Sequence, residues 1–182
     1  METPRLTLDP FGESDKEDYF YCVPHDKKVL ETFICKYEGS LEDFNFEPYL
    51  KAKDVFAIRL KETGRPIGII LCFDEHGGAC EMGYAIGSAY WGRGYAAEAA
   101  REFLRYCFRV KGMERVCASY FSGNEASRRV MEKCGMRFER FAQNELEYLG
   151  VKRDLTYYAI DRNEFEYGEA EAAKEESDET GI

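Results

Sequence analysis

The chain has 182 residues, 45% of them hydrophobic and 33% charged, with a formal net charge of −10, which describes one domain able to bury a core without disulfide or metal staples. The acidic balance weighs against a nucleic-acid binder, which needs a basic face, and favours cationic partners through the long-range field. No apolar run reaches the length of a membrane span, the opening METPRLTLDP lacks a basic-then-apolar targeting pattern, and seven scattered cysteines without a C-x-x-C pair suit buried thiols in a reducing compartment, so a cytoplasmic chain with no metal site is expected.

A first strand is expected at Arg5–Leu8, followed by helical or irregular pieces at Ser14–Cys22, Lys27–Lys36 and Leu41–Leu50. Val55–Leu60, Pro66–Phe73 and Cys80–Ile86 are β-rich runs separated by the turn signals ETGR and EHGG, as in an antiparallel meander. From Ala96 the period changes, and Ala96, Ala100, Phe103, Leu104, Cys107 and Phe108 fall on one helical face. On its other face Glu98 with Arg101 and Glu102 with Arg105 are spaced i,i+3 and support the helix surface. A strand at Arg115–Phe121, a helix at Gly123–Lys133 stopped by Cys134-Gly135, and β-rich runs at Met136–Phe141 and Asp154–Ile160 follow. Gly168–Ile182 carries six acids against one lysine and reads as a frayed helix or a disordered tail, which divides the chain into a domain at 1–165 and an acidic, flexible tail at 166–182. The interleaved elements predict an α+β (mixed α/β) fold, with a single sheet flanked by helices.

Between the strand at Cys80–Ile86 and the helix lies GSAYWGRGYAAEAA, in which Gly92–Ala97 reads G-x-G-x-x-A. That spacing matches a dinucleotide fingerprint, but there the strand runs straight into the first glycine, whereas Gly87 to Trp91 intervene here; an NAD(P)-binding oxidoreductase is a remote alternative. Glycines before a helix N-terminus turn backbone amides outward where the dipole is positive, a cradle for phosphate, and Arg93 adds a charged donor. The plainer reading is that the glycines shape a loop and the alanines favour helix.

The segments ETPRLTLDPFGESDKED, EMGYAIGSAYWGRGYAAEA, NEASRRVMEKCGMRFE and EYLGVKRDLTYYAI, in this order over residues 2–160, make the chain resemble the Gcn5-related N-acetyltransferases, in particular the subgroup of ribosomal-protein serine/alanine N-terminal acetyltransferases. The resemblance implies a splayed mixed sheet whose fourth strand, about Glu81 to Ile86, ends beside a pyrophosphate loop. Acetyl-coenzyme A is then expected against that strand, its pantetheine pairing with backbone at Tyr84, Ile86 and Gly87. Its pyrophosphate falls on Gly92, Arg93, Gly94, Tyr95, Ala96 and Ala97, and Asn124 touches the cofactor. Trp91 stands where the family commonly has Arg or Gln, a departure typical of this subgroup.

Acyl transfer to an amine that is mostly protonated at pH 7 calls for a base and for a group to meet the leaving thiolate. The resemblance assigns the base to Glu147, with Glu81 as the other carboxylate near the cleft; either could equally be a solvated strand-end residue. Where many relatives place an acidic tyrosine this chain has Met131, so the family role of acid falls to Ser127, which shares a helical face with Asn124, Arg128 and Met131. A plainer reading has Ser122 cap this helix with Glu125 as its capping-box partner. Arg128, Arg129 and Lys133 are candidates for the 3′-phosphate. The expected acceptor is a primary amine, a protein N-terminus or a small cationic amine, with no nucleic acid and no membrane, in a monomer or homodimer; a non-catalytic acyl-coenzyme A sensor is the alternative.

Overall fold

The computed structural model describes residues 1–35 and 39–179, with side chains through residue 174. It begins with β1 (Leu6–Asp9) and a 3-10 turn (Glu13–Asp15), then the short helices α1 (Lys16–Cys22), α2 (Lys27–Leu30) and α3 (Glu47–Lys51). The meander follows as β2 (Val55–Leu60), β3 (Pro66–His76) and β4 (Ala79–Ile86), and after a second 3-10 turn (Ser88–Tyr90) comes α4 (Tyr95–Arg105), extended by a π-helical turn (Tyr106–Val110). The rest is β5 (Arg115–Phe121), α5 (Glu125–Lys133), β6 (Arg137–Tyr148), β7 (Val151–Asp161) and α6 (Arg162–Glu179). Seven strands form one sheet in the order β1-β2-β3-β4-β5-β7-β6. Every neighbouring pair is antiparallel except β4 and β5.

Strand alternation sends side chains to two faces, and each face has its own cover. On one, Leu6, Leu8, Ile58, Ile67, Ile70, Met82 and Ile86 meet Ala99, Ala100, Phe103 and Leu104 of α4, Phe108 of the π turn and Met131 of α5. On the other, Ala57, Ile69 and Ala85 meet a cluster of rings, Tyr19 and Phe20 of α1 with Phe11, Phe44 and Phe46 from the segments between the short elements, and burying each ring contributes roughly 1.5–3 kcal/mol. The strap over this cluster is closed by Arg59, whose guanidinium holds Asp15 with two bonds of 2.6 Å and Asp9 with one of 2.5 Å. Asp15 is buried, and its bonds from Arg59 and the Gly12 amide outweigh burial and hold its carboxyl below the usual carboxylate range.

Several expected boundaries shift. Only Lys27–Leu30 of Lys27–Lys36 and only Glu47–Lys51 near the end of Leu41–Leu50 are helical; Lys36 lies outside the described residues. β6 and β7 form a hairpin longer than the runs expected from sequence, because most of β6 is exposed on both faces and carries no alternation to read. In the acidic segment α6 runs to Glu179, with Phe165 buried against Phe108 at 5.1 Å and Glu169 and Glu166 paired with Arg105 and Arg109 at 2.6 and 3.1 Å. Residues 180–182 are outside the described residues. Glu98 does not pair with Arg101. It accepts instead from Thr3 and Arg5, while Arg101 reaches the Lys133 carbonyl; the Glu102–Arg105 pair forms at 2.9 Å.

Candidate active site

β4 and β5 pair only at Ala79–Glu81 with Arg115–Cys117, and beyond that point the two parallel strands part while β4 stays zipped to β3 as far as Ile86. The Gly87 amide donates to Ile67 of the β3 side at 2.9 Å. By strand parity the backbone groups of Ile86 and Tyr84 therefore point the other way, into the fork. The fork opens as a cleft of about 430 Å³, walled by Tyr84–Ile86 of β4, the loop and first turn of α4, α5, and Val29, Thr32 and Phe33 of the α2 region.

At one end of the cleft, Gly92 and Gly94 sit at φ +76° and +81°, a left-handed conformation that side chains resist, with Gly94 as N-cap of α4. The first bond of this helix is donated by Glu98 to the Gly94 carbonyl. The amides of Tyr95, Ala96 and Ala97 thus have no acceptor within the helix and face the positive end of its dipole. Arg5 braces the loop from outside: it donates to the Arg93 carbonyl at 3.0 Å, pairs with Glu98 at 2.6 Å and lies 4.5 Å over the Tyr95 ring.

Nine of the expected cofactor contacts line the cleft: Tyr84, Ile86, Gly92, Gly94, Tyr95, Ala96, Ala97, Asn124 and Ser127. Gly87 and Arg93 do not. At Gly87 a side chain is forbidden by α1, because a Cβ would stand 2.3 Å from Cys22 Sγ and 2.8 Å from its carbonyl; its glycine is a matter of packing. Arg93 is exposed and its guanidinium lies 5.9 Å from the Tyr90 ring.

On α5 the cap is Asn124, whose side chain accepts from the Ser127 amide at 3.1 Å. Ser122 instead bonds Thr156 at 3.0 Å, so the Ser122–Glu125 capping box does not form. Arg129 and Lys133 line the cleft, whereas Arg128 is turned aside to Glu125 and Glu132 at 2.7 and 2.8 Å. Met131 is buried in the core, off the surface its Asn124–Ser127 spacing suggested. Opposite Ser127 stands a group that the sequence marked only for its backbone: the Tyr84 hydroxyl, 2.8 Å from Ser127 Oγ and donating to the Ser127 carbonyl at 3.2 Å. Burial pushes this phenol up, more than its bond to Ser127 lowers it, so it keeps its proton. Trp91 was likewise marked only as a loop variant, yet its indole donates to the Ile86 carbonyl at 2.6 Å.

The two carboxylates are placed differently. Glu81 forms the last β4–β5 pair, at the vertex of the fork, and accepts from Ser119 Oγ at 2.6 Å. Burial raises its pKa above the ordinary glutamate value, and the Ser119 bond only partly offsets this. Glu147 is exposed near the tip of the β6–β7 hairpin, opposite Lys152. Its neighbour Tyr148 turns inward, and its hydroxyl donates to the Cys35 carbonyl at 3.0 Å and accepts from the Cys35 amide at 3.3 Å, tying the hairpin to the segment after α2. Neither glutamate lines the cleft itself.

An apolar slot along a strand edge, ending in unpaired helix amides with Arg129 and Lys133 beside them, fits a long ligand that carries an anionic diphosphate. No helix among the described residues is long and apolar enough to cross a membrane. Residues 5–137 match the family described as Acetyltransferase (GNAT) domain. The chain is 27% identical over 175 residues to the uncharacterized N-acetyltransferase YoaA of Bacillus subtilis, covering 88% of this chain and 95% of that protein. It is also 32% identical over 82 residues to the [ribosomal protein uS5]-alanine N-acetyltransferase of Escherichia coli, a match that spans 45% of this chain and only 42% of the relative. The crystal structure of an acetyltransferase (GNAT family) from Bacillus anthracis superposes with a TM-score of 0.80 at 28% identity, over 90% of this chain and 98% of that one. With the forked sheet, the amide cradle and a family match over most of its length, the chain belongs to the GNAT N-acetyltransferases.

Proposed function

We propose that this N-acetyltransferase takes its acetyl group from acetyl-coenzyme A and passes it directly to a primary amine, a protein N-terminus or a small cationic amine. The observation that carries the reading is the single cleft that joins the amide cradle to the fork of β4 and β5. Gly92, Gly94, Tyr95, Ala96 and Ala97 hold the diphosphate, Arg129 and Lys133 offer the charge for a further phosphate, and the free backbone of Tyr84 pairs with the pantetheine arm. Bound there, acetyl-coenzyme A supplies an activated thioester carbonyl and a thiolate leaving group.

The chain's own groups do the rest. Glu81, with its pKa raised by burial above the ordinary glutamate value, is the base, because a base nearer neutrality accepts a proton from an ammonium more readily. Its place at the vertex puts it between the strands that open around the transferred group. On the cofactor side, Tyr84 keeps its proton and, with Ser127, forms a hydroxyl pair that donates toward developing negative charge; together they supply what Met131, buried in the core, does not. The acceptor enters past Val29, Thr32 and Phe33, on the wall tied to the β6–β7 hairpin through Tyr148, and the chain's net charge of −10 favours a cationic acceptor.

Incubating the protein with acetyl-coenzyme A and a panel of N-terminal peptides, polyamines and aminoglycosides, and following thiol release, tests this. Acceptor-dependent release with at least one amine is the expected result. Tight donor binding without release for any amine overturns direct transfer, and failure of coenzyme A to bind in calorimetry overturns the cleft assignment.

A further inference from the structure

The sequence spacing of Cys72, Cys80 and Cys107 announces nothing, yet the fold brings their sulfurs within 4.8 Å of one another, all three buried. Cys72 and Cys80 come from adjacent strands and share the sheet face that meets α4. Cys107 comes from the π-helical turn at Tyr106–Val110, a rare distortion of a helix that concentrates at functional sites.

A second distortion aims at the same place. The β3–β4 register breaks between Phe73 and His76, and Asp74 takes φ +50°; such a bulge re-aims the side chains beside it. Glu75 thereby reaches Cys72, whose thiol donates to it at 3.7 Å, and also Lys111, which Asp54 holds at 2.5 Å. The Glu75 side chain is 41% exposed and that of Lys111 11%, so a carboxylate and an ammonium link the thiols to solvent.

We infer that Cys72, Cys80 and Cys107 form a binding site for a soft d10 cation, with Glu75 at its mouth. Metal–thiolate bonds of about 2.3 Å around one centre separate the sulfurs by about 4 Å, so the three need close by less than about 1 Å. An all-sulfur set selects soft cations over magnesium or calcium. Each ligating thiol releases its proton to solvent, and Lys111 offsets the charge that results. Zn(II) completes four-coordination with the Glu75 carboxylate, whereas Cu(I) is satisfied by three sulfurs. This proposal departs from the expectation, read from cysteine spacing, of a chain with no metal site.

The test is anaerobic titration of the reduced, metal-stripped protein with Zn(II) and, separately, Cu(I) against a chromogenic chelator. One ion per chain is expected for at least one of the two, with X-ray absorption showing sulfur neighbours near 2.3 Å. Cys80→Ser and Cys107→Ser should each lower affinity on the order of a hundred-fold or more, since losing a ligand exceeds the effect of losing an outer-shell partner. Cys134→Ser, a buried thiol outside the triad, should change nothing. Circular dichroism checks each fold, and Cys72→Ala takes the place of any variant that does not fold. Failure of both ions to bind, or binding that survives Cys80→Ser, Cys107→Ser and Cys72→Ala alike, overturns the site.

Discussion

The two edges of β4 are made of the same residues and behave in opposite ways. Toward β3 the strand is zipped from Glu81 to Ile86, and Gly68 packs so closely that a Cβ there would lie 2.2 Å from the Ala85 carbonyl. Toward β5 it pairs for three residues and then stands alone. One edge tolerates nothing between it and its neighbour, and the other is built to admit something. The binding site proposed there is an interruption in a structure that is otherwise closed, and its rigidity comes from the closed side.

The largest expected effect comes from breaking the closed edge. Gly68→Ala should destabilise the fold by about 3 kcal/mol, because backbone rather than a flexible side chain must yield; urea denaturation measures this, and unchanged stability would mean that β3 and β4 slide as freely as the open side. At the vertex, Glu81→Gln should lower kcat on the order of a hundred-fold. The wild-type rate should also fall as pH drops through a pKa above the ordinary glutamate value, since only the carboxylate accepts a proton, and the variant should lose that limb. A larger loss in Glu147→Gln would move the base to the hairpin.

On the open edge the effects are smaller and more selective. Gly94→Val, at φ +81°, should raise KM for acetyl-coenzyme A about tenfold and leave KM for the acceptor unchanged, as the disturbance is confined to the cradle. Equal changes in both would show that the loop also shapes the acceptor end. Tyr84→Phe removes one hydroxyl from the pair with Ser127 and should lower kcat about fivefold, the worth of one hydrogen bond of about 1 kcal/mol; a change confined to KM would make Tyr84 a wall and not a donor.

What the residues announced and what they hid follows from the same contrast. The meander and the apolar stripe of α4 were legible because burial on one face imposes a period, and the cradle was legible because left-handed backbone demands glycine at 92 and 94. The open edge was not, since a strand that leaves its neighbour keeps the composition of one that stays; only the family resemblance located it. Side chains that act across the fold were hidden too. Nothing in the order of residues joins Tyr84 to Ser127, Arg5 to the loop at Arg93, or Cys72 to Cys107. Gly87 was expected at the pantetheine through its backbone, but strand parity, which the order of residues does not print, turns its amide back to Ile67 of β3, and its bare Cα answers to Cys22 behind it. The exposed β6 has no buried face to set a period, so its end was misplaced.

A half-unzipped strand is also a hazard, because bare amides and carbonyls in a row recruit strands from other molecules and seed aggregates. Trp91 meets this hazard directly. Its indole, 44% exposed as a residue, occupies the Ile86 carbonyl at the outermost position of the open edge, where a foreign strand would begin to pair. The protein thus carries its own stopper, and replacing Trp91 with a residue that has no donor leaves the terminal rung of that ladder free to stick.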